Sequence, residues 1–174
     1  MQFATFHDLE DQSIFITGGG SGIGADLTKG FLSQGSKVTF IQRSNPEKFL
    51  IDCKGKYKHE PSFLECDVTN TKELKTALQR TAKKQGPISV LVNNAANDTR
   101  HSLGEFTSEQ WDKTMNVNLK PHFFAAQEVV EGMKKNGGGS IINFSSISYM
   151  MGNEGYPAYA TAKSAIAGLT RSLA

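Results

Sequence analysis

Tyr159 and Lys163 stand four residues apart in the run Tyr-Pro-Ala-Tyr-Ala-Thr-Ala-Lys. In a helix, this spacing places both side chains on one face. An ammonium group at about 4 Å, with an effective dielectric near 20, favours a phenolate by roughly 4 kcal/mol, or about three pKa units. The pair therefore predicts a tyrosine that exchanges a proton near neutral pH. An isolated Tyr-x-x-x-Lys is more typical of an ordinary surface helix. Other motifs in the sequence are therefore needed to favour a reactive pair.

Short apolar strands alternate with amphipathic helices along the chain. Strands are predicted at residues 13–17, 37–41, 62–66, 88–93 and 140–144. Helices are predicted at residues 22–34, briefly after residue 46, at 71–84, from a Thr107/Gln110 capping box to about residue 135, and from the Tyr159 region to the C-terminus. Nearly all-apolar strands joined by helices predict an α/β fold with an open, doubly wound, mostly parallel sheet.

The bulk composition is that of one soluble globular domain. The 174 residues are 38% hydrophobic and 21% charged, and the net charge of +2 is too small to indicate a nucleic-acid partner. No apolar run is long enough to cross a membrane. Cys53 and Cys66 form no metal-binding pattern with the four histidines. We therefore expect a cytoplasmic protein with two ordinary thiols and no metal.

A glycine-rich loop lies between the first strand and the first helix. Its sequence from Thr17 is Thr-Gly-Gly-Gly-Ser-Gly-Ile-Gly. Glycines permit a tight turn and a close backbone approach to a pyrophosphate, and the helix N-terminus favours the anion. A strand before the loop and a helix after it favour a Rossmann-type dinucleotide site over a merely flexible loop. The predicted contacts are Gly18, Gly20, Ser21, Gly22, Ile23 and Gly24.

Four motifs in this order resemble the short-chain dehydrogenase/reductase family. They are the glycine loop, Asn-Asn-Ala at residues 93–95, the Ser145-Ser146 pair, and Tyr159-x-x-x-Lys163. The resemblance covers essentially the whole chain, and the combination is far more specific than any single motif. In that family the serine lies thirteen residues before the tyrosine, which selects Ser146 over Ser145. A Val-Asn-Leu context likewise selects Asn118 over Asn116.

The resemblance implies hydride transfer between a nicotinamide cofactor and a substrate carbon. Tyr159 would exchange a proton with the substrate oxygen, and Lys163 would support its phenolate and bind the nicotinamide ribose. Ser146 would hold the substrate oxygen, and Asn118 would position a water in a proton relay. Asn93 would tie neighbouring strands together. Further contacts implied for the cofactor, beyond Tyr159 and Lys163, are Asp67, Val68, Asn94, Ala95 and Ala96.

The choice between NAD and NADP depends on the end of the second strand. An acid there usually holds the NAD ribose, whereas an arginine accommodates the NADP phosphate. Here Gln42 takes the acid position and Arg43 follows. Against NADP, Ser21 stands where many NADP-preferring relatives carry a basic residue, and Arg43 could instead stack on adenine. We predict binding of NADP or NAD through Gln42 and Arg43, with NADP preferred.

The segment after the fourth strand, Asn97-Asp98-Thr99-Arg100-His101, is more polar than the common family form. It resembles the sugar 1-dehydrogenase branch, as do residues 132–144, which implies oxidation of an aldose to a lactone. A sugar needs several fixed polar partners. The alternative is an Asp98–Arg100 ion pair that stiffens the loop, and the same residues can do both. The predicted substrate contacts are Asn97, Asp98, Arg100, His101, Ser146 and Asn153.

The sequence departs from the family at its end, because members normally continue beyond Ala174 through two strands and a substrate-covering loop. We expect a single dinucleotide-binding domain over residues 1–174 that, alone, folds weakly or has little activity. A homo-oligomer formed through the long helix and the Tyr159 helix is expected. Two alternative functions stay open, a reductase of 3-oxoacyl thioesters and a cofactor-binding sensor that has lost catalysis.

Overall fold

The computed structural model describes residues 4–174, which form a five-stranded parallel sheet with helices on both faces. The strands are β1 (Ser13–Thr17), β2 (Lys37–Gln42), β3 (Ser62–Glu65), β4 (Val90–Asn93) and β5 (Ser140–Asn143). The helices are α1 (Gly22–Ser33), α2 (Glu47–Cys53), α3 (Thr71–Gln85), α4 (Ser108–Asn118), α5 (Lys120–Lys135), α6 (Ser148–Met151) and α7 (Pro157–Leu173). The predicted α/β doubly wound fold is confirmed.

The strand order β3-β2-β1-β4-β5 reverses direction between β1 and β4. All four strand pairs are parallel, so the carboxyl ends of the strands meet at one edge of the sheet. At such a reversal, the loops that follow the two strands diverge and leave a crevice. The glycine loop after β1 and the Asn-Asn-Ala sequence after β4 therefore face the same crevice.

Apolar side chains on the two faces of the sheet form two cores. One core joins Phe15 and Leu91 to the inner faces of α3 and α5. The other joins Ile16 and Val92 to α1 and α2. Every residue of β1 is buried, which fits the apolar Ile-Phe-Ile sequence at its centre. The two covered faces hold β1 and β4 rigidly, and so fix the positions of the loops that follow them.

The single long helix predicted after Thr107 is wrong, because two helices, α4 and α5, occupy its place. The capping box of Thr107 and Gln110 opens α4 as predicted. Leu119 then leaves the helical conformation, with φ −130° and ψ −54°. Pro121 lies in the first turn of α5. A proline ring has no N–H and clashes with the carbonyl four residues earlier, so the helix has to restart here.

Smaller differences lie at element ends. β4 begins at Val90 instead of residue 88, and β3 and β5 each end one residue earlier than predicted. The four-residue helix α6 was not predicted. Over residues 4–174, no helix is long and apolar enough to cross a membrane. The same residues contain no cluster of three or more histidine, cysteine or acidic side chains that could hold a metal ion.

Candidate active site

The glycine loop packs its backbone tightly between β1, β2 and the start of α1. Gly18 has φ +71°, a conformation that favours glycine. A Cβ on Gly24 would lie 1.9 Å from the Gly18 carbonyl oxygen, so no larger residue fits there. The Gly20 amide donates to Gln42 Oε1 at 3.0 Å, which joins the loop to the end of β2.

The N-terminus of α1 faces the crevice with free donors. Ser21 occupies the N-cap position, yet its side chain accepts no capping hydrogen bond. The first amides of a helix have no partner within the helix, and with the helix dipole they favour an anion. The close glycine packing and these uncapped amides fit the pyrophosphate of a dinucleotide.

The crevice forms a cleft of about 700 Å³ that runs from the glycine loop past β2 and β3 to α4. The structure brings most of the predicted cofactor contacts together in its wall, whereas Gly20, Gly22, Tyr159 and Lys163 lie outside the wall. The predicted residues that line the cleft are Gly18, Ser21, Ile23, Gly24, Gln42, Arg43, Asp67, Val68, Asn94, Ala95 and Ala96. These positions stay predictions of cofactor contact.

Sequence reasoning assigned no cofactor contact to several other residues of the cleft wall. Lys113, Asn116 and Val117 come from α4, and Cys66 and Thr69 flank the predicted Asp67–Val68 pair. The positions on α4 recur three to four residues apart and so share a helix face. That spacing was the available signal, but it points to the cleft only once α4 is known to cross it. Burial raises the pKa of the Cys66 thiol to about 11, which makes this cysteine unreactive.

Some predicted cofactor residues also hold the walls of the cleft in place. Asn94 Nδ2 donates to the Thr17 and Gly18 carbonyls at 3.0 and 3.2 Å, and so ties the β4 loop to the glycine loop. The Asp67 carboxylate accepts from the backbone and hydroxyl of Thr69 at 2.9 and 2.8 Å. The expected strand-tying role of Asn93 is confirmed, because its Nδ2 donates to Asn143 Oδ1 at 2.9 Å.

Asn118 is fully buried and anchors the loop that follows β4. Its Oδ1 accepts from the Asn97 amide at 2.9 Å, and its Nδ2 donates to the Asn97 carbonyl at 2.9 Å and to the Thr114 carbonyl at 3.0 Å. Both side-chain protons are therefore in use. The break at Leu119 sends the His122 amide to the Leu119 carbonyl, at 3.1 Å, instead of to Asn118. The Asn118 carbonyl therefore lacks this helical hydrogen bond, and the relay water predicted at Asn118 stays a prediction.

Tyr159 and Lys163 share a face of α7, as their spacing predicted, but the expected effect on the tyrosine pKa is wrong. Burial raises the pKa of Tyr159, the hydroxyl of Ser146 opposes this shift, and the charge of Asp98 adds to it. The Lys163 ammonium lies 5.6 Å from the centre of the tyrosine ring. It donates instead to the Phe144 carbonyl at 2.7 Å. The side chain of Lys163 is buried, and this lowers its pKa to about 8.

The two serines after β5 hold different positions. Ser145 donates to the Lys163 carbonyl at 2.6 Å and so fixes the loop to α7. Ser146 is half-buried beside Tyr159, and its oxygen accepts from the Ser148 amide at 3.2 Å. Ser146, not Ser145, therefore faces the phenol, in line with the choice made from the thirteen-residue spacing.

Most of the predicted substrate residues make contacts within the protein. Asn97 Oδ1 accepts from the amide and hydroxyl of Thr99 at 3.0 and 2.6 Å. Arg100 donates to the Glu154 carbonyl at 3.1 Å. Among residues 4–174, the ion pair considered between Asp98 and Arg100 does not form. Asp98 is exposed, and its charge acts on Tyr159.

Asn153 and His101 also belong to these internal contacts. Asn153 Nδ2 donates to the Tyr156 hydroxyl at 3.2 Å, next to the start of α7. His101 contacts α7 directly, because its Nε2 accepts from the Ala158 amide. Among the described residues, neither the Asp98 carboxylate nor Asn97 Nδ2 has a hydrogen-bond partner, so both can meet a ligand, and Asn97 also lines the cleft.

Comparison with known proteins agrees with this geometry. A family model described as short chain dehydrogenase matches residues 12–174. The chain belongs to the short-chain dehydrogenase family. Members of this family are oxidoreductases that use NAD or NADP, which fits the cleft described above.

The relatives found include several sugar dehydrogenases. A probable galactose dehydrogenase, GalD, of Rhizobium meliloti is 43% identical over 172 residues, which cover 97% of this chain and 67% of the relative. A D-xylose 1-dehydrogenase of Caulobacter vibrioides is 42% identical over 175 residues, which cover all of this chain and 69% of the relative. The chain thus spans about two thirds of the length of these curated relatives.

A solved structure shows the same architecture. The ligand-free aldohexose dehydrogenase of Thermoplasma acidophilum superposes with a TM-score of 0.86 at 32% sequence identity. The match covers 97% of this chain and 62% of that structure.

His122 is a residue of this short-chain dehydrogenase that sequence reasoning did not single out. It lies on α5 with 1% of its surface exposed, and neither ring nitrogen has a hydrogen-bond partner within residues 4–174. Burial, together with the nearby charge of Lys163, lowers the pKa of His122 to about 3. The imidazole is therefore a neutral group behind the lysine.

This burial predicts that His122 makes folding stability depend on pH. The pKa of His122 in the folded state, about 3, lies below the unfolded value of about 6.5. Between these two pH values the unfolded chain binds a proton at this residue and the folded chain does not. Stability from this residue is complete above about pH 6.5 and falls toward pH 3, by up to about 1.4 kcal/mol per pH unit. We expect His122→Leu to remove this part of the slope in urea-unfolding free energies measured from pH 7 to 4.5.

The same substitution at the exposed His7 is the matched control, and it should leave the pH slope unchanged. Carboxylates contribute equally to all three proteins and cancel in the differences. Parallel pH curves for the wild type and His122→Leu would contradict the prediction.

Proposed function

We propose that this chain carries the cofactor site and the reactive residues of an NADP-preferring aldose 1-dehydrogenase. The single observation that carries the proposal is the grouping of Ser146, Tyr159 and Lys163 near Asp98, which directly follows a residue of the cleft that fits a dinucleotide. Support for a sugar comes from the names of the relatives and from the exposed carboxylate of Asp98 near Tyr159. Hydroxyl groups of a sugar are suitable donors to such a carboxylate.

The proposed reaction converts an aldose to its lactone. The nicotinamide supplies the hydride acceptor for the hydrogen on the anomeric carbon. Tyr159, as its phenolate, takes the proton of the anomeric hydroxyl and becomes the neutral phenol, and Ser146 holds that oxygen by a hydrogen bond. Lys163 would bind the nicotinamide ribose, because two of its three ammonium protons remain for other partners after the bond to Phe144. Asn118 keeps the loop with Asp98 in place through Asn97.

An assay of the protein with NADP and NAD, each in separate reactions, tests the function. We expect reduction of the cofactor, followed by its absorbance, with one or more aldoses of a panel that includes xylose and galactose. Simple secondary alcohols and, in the reverse direction, a 3-oxoacyl thioester complete the panel. Thioester reduction without aldose oxidation would overturn the sugar proposal. Cofactor binding without any turnover would instead favour the sensor alternative.

The preference for NADP rests on Arg43. Its guanidinium is exposed at the cleft, whereas Gln42 beside it is engaged with Gly20 and with the Ser44 carbonyl. We expect Arg43→Ala to weaken NADP binding about 10- to 100-fold, the value of a charge-assisted hydrogen bond, and to leave NAD affinity within about twofold. Titration of the reduced cofactors by fluorescence measures both affinities.

Arg171→Ala serves as the control, because Arg171 is an exposed arginine of α7 outside the cleft wall. It should change neither affinity. Equal losses for NADP and NAD in Arg43→Ala would show that Arg43 acts on the shared adenine instead of the phosphate.

Two further expectations stay proposals. Reductases of 3-oxoacyl thioesters also occur among the relatives, but at lower identity than the sugar dehydrogenases. For the homo-oligomer, Trp111 on α4 and Phe123 on α5 are 42% and 46% exposed, and large aromatic side chains of this kind are enriched at interfaces.

A further inference from the structure

Two segments that lie far apart in the chain are joined beside Tyr159. One is the loop of residues 97–101 after β4, and the other is the turn of residues 153–158 that begins α7. The His101 amide donates to the Gly155 carbonyl at 2.8 Å. The Arg100 guanidinium stacks on the buried ring of Tyr156, with 3.8 Å between its central carbon and the ring centre. The loop after β4 therefore fixes where α7 starts.

The imidazole of His101 makes the most direct of these contacts. Its Nε2 is 3.3 Å from the Ala158 amide, which donates to it. Its Nδ1 lies 3.2 Å from the Thr99 carbonyl oxygen. The ring also stacks on Phe106, with 3.8 Å between centres and 18° between planes. Three neighbours thus hold one ring in one orientation.

The partners of the two nitrogens determine the tautomer. A backbone carbonyl can only accept, so Nδ1 has to carry the hydrogen. A backbone amide can only donate, so Nε2 has to be the acceptor. A neutral imidazole with hydrogen on Nδ1 satisfies both at once, whereas the protonated ring would direct a hydrogen at the Ala158 amide.

The Ala158 amide is one of few donors at the start of α7. The helix begins with Pro157, which has no N–H, and the N-cap residue Tyr156 provides no side-chain cap. The first bond within the helix runs from the Ala160 amide to the Tyr156 carbonyl. The amides of Ala158 and Tyr159 therefore need partners from outside the helix, and His101 supplies one of them.

We propose that His101 is the N-terminal cap of α7 and a positioning residue for Tyr159. An aspartate or serine at the N-cap accepts a hydrogen bond from a free amide of the first helical turn. His101 accepts such a bond from a different segment of the chain. The capped residue immediately precedes Tyr159, so the loop after β4 sets the first turn of the helix that carries the phenol. The proposal rests on the proposed function only for its effect on turnover.

This role differs from the substrate contact predicted for His101 from the sequence. Each ring nitrogen already has a hydrogen-bond partner within the protein. A bond to a sugar hydroxyl would therefore require one of these two hydrogen bonds to break. The exposed Asp98, three residues earlier, remains available for the substrate. A cap is expected to affect kcat, whereas a substrate ligand affects KM.

Two substitutions separate the features of the imidazole. His101→Gln keeps an acceptor that can reach the Ala158 amide and loses the aromatic stack. His101→Phe keeps the stack on Phe106 and has no acceptor. With saturating cofactor, we expect His101→Phe to lower kcat about fivefold or more, the factor of one lost cap, with KM within about twofold. His101→Gln should restore most of the loss.

Three further readouts need no turnover. Nitrogen-15 NMR of the cofactor-saturated protein should show the hydrogen of His101 on Nδ1. Amide exchange at Ala158 and Tyr159 should accelerate in His101→Phe and stay normal in His101→Gln. A looser first turn would also expose the phenol, so the raised pKa of Tyr159 should fall toward its ordinary value in His101→Phe alone. Ultraviolet difference spectra against Tyr159→Phe measure it.

Each outcome decides the proposal. A hydrogen on Nε2, or normal amide exchange in His101→Phe, overturns the cap. Normal kcat with raised KM in both variants shows a substrate ligand and also overturns it. If no aldose is oxidised by the wild type, the proposed function fails, while the NMR, exchange and phenol titration still decide whether His101 caps α7 and positions Tyr159.

Discussion

Tyr159→Phe is expected to lower kcat about 10³-fold while the affinity for the cofactor stays within about twofold. The phenolate of Tyr159 is the proposed proton acceptor, and loss of a general acid or base typically costs between about 10² and 10⁴ in rate. The ring itself packs edge-to-face on Tyr156 with 5.5 Å between centres, and phenylalanine retains this contact. Steady-state kinetics with the preferred aldose, together with fluorescence titration of the reduced cofactor, measure the two quantities.

The matched control for this substitution is Tyr156→Phe, three residues earlier. The hydroxyl of Tyr156 accepts one hydrogen bond, from Asn153 at 3.2 Å, and its ring keeps the stack with Arg100 after the change. We expect kcat within about twofold of the wild type. A similar kcat loss for both variants would show that the tyrosines act through packing, and an undiminished kcat in Tyr159→Phe would remove the phenol from the mechanism.

Gly24→Ala should abolish most cofactor binding and destabilise the fold. The added Cβ would lie 1.9 Å from the Gly18 carbonyl oxygen and 2.8 Å from Asn94 Nδ2. The Gly18 carbonyl is a backbone group and cannot move aside as a flexible side chain can. The glycine loop and the first turn of α1 therefore have to separate. Overpacking of this kind costs about 1–3 kcal/mol in stability. We expect at least about tenfold weaker cofactor binding, since 1.4 kcal/mol of lost interaction is a factor of ten.

Gly30→Ala provides the control within the same helix. A Cβ at Gly30 meets no atom within 4 Å, and the position is exposed. Alanine is favoured over glycine in a helix by about 1 kcal/mol, so this variant should unfold at equal or higher urea concentration and bind the cofactor normally. Equal behaviour of Gly24→Ala and Gly30→Ala would mean that the loop adapts, against the prediction.

The fold could be predicted because its signals are local. A buried parallel strand is rich in apolar residues, and β1 and β2 were predicted to within one residue of their ends. The break between α4 and α5 had an equally local signal in Pro121, but apolar residues continue on both sides of it, such as Val117, Leu119 and Phe123. Periodicity therefore predicted one helix where the proline requires two.

The site was less predictable because its contacts join distant residues. The spacing of Tyr159 and Lys163 places them on one face, but the direction of the ammonium depends on the Phe144 carbonyl, nineteen residues before Lys163. Likewise, the sequence shows that Arg100 and His101 are polar, but not that residues 154–158 lie against them. Residue type and spacing thus predicted which side chains lie close together. The hydrogen-bond partner of each side chain could be found only from the three-dimensional structure.

The double engagement of Gln42 bears on how this enzyme could be redesigned. Its Oε1 accepts from the Gly20 amide and its Nε2 donates to the Ser44 carbonyl, at 3.0 and 2.8 Å. An acid introduced here to favour NAD would lose the donor to Ser44 and bring negative charge toward the loop that has to accept a pyrophosphate. Arg43 makes no such internal bond among the described hydrogen bonds, so a change of coenzyme preference is better sought there, with Gln42 left in place.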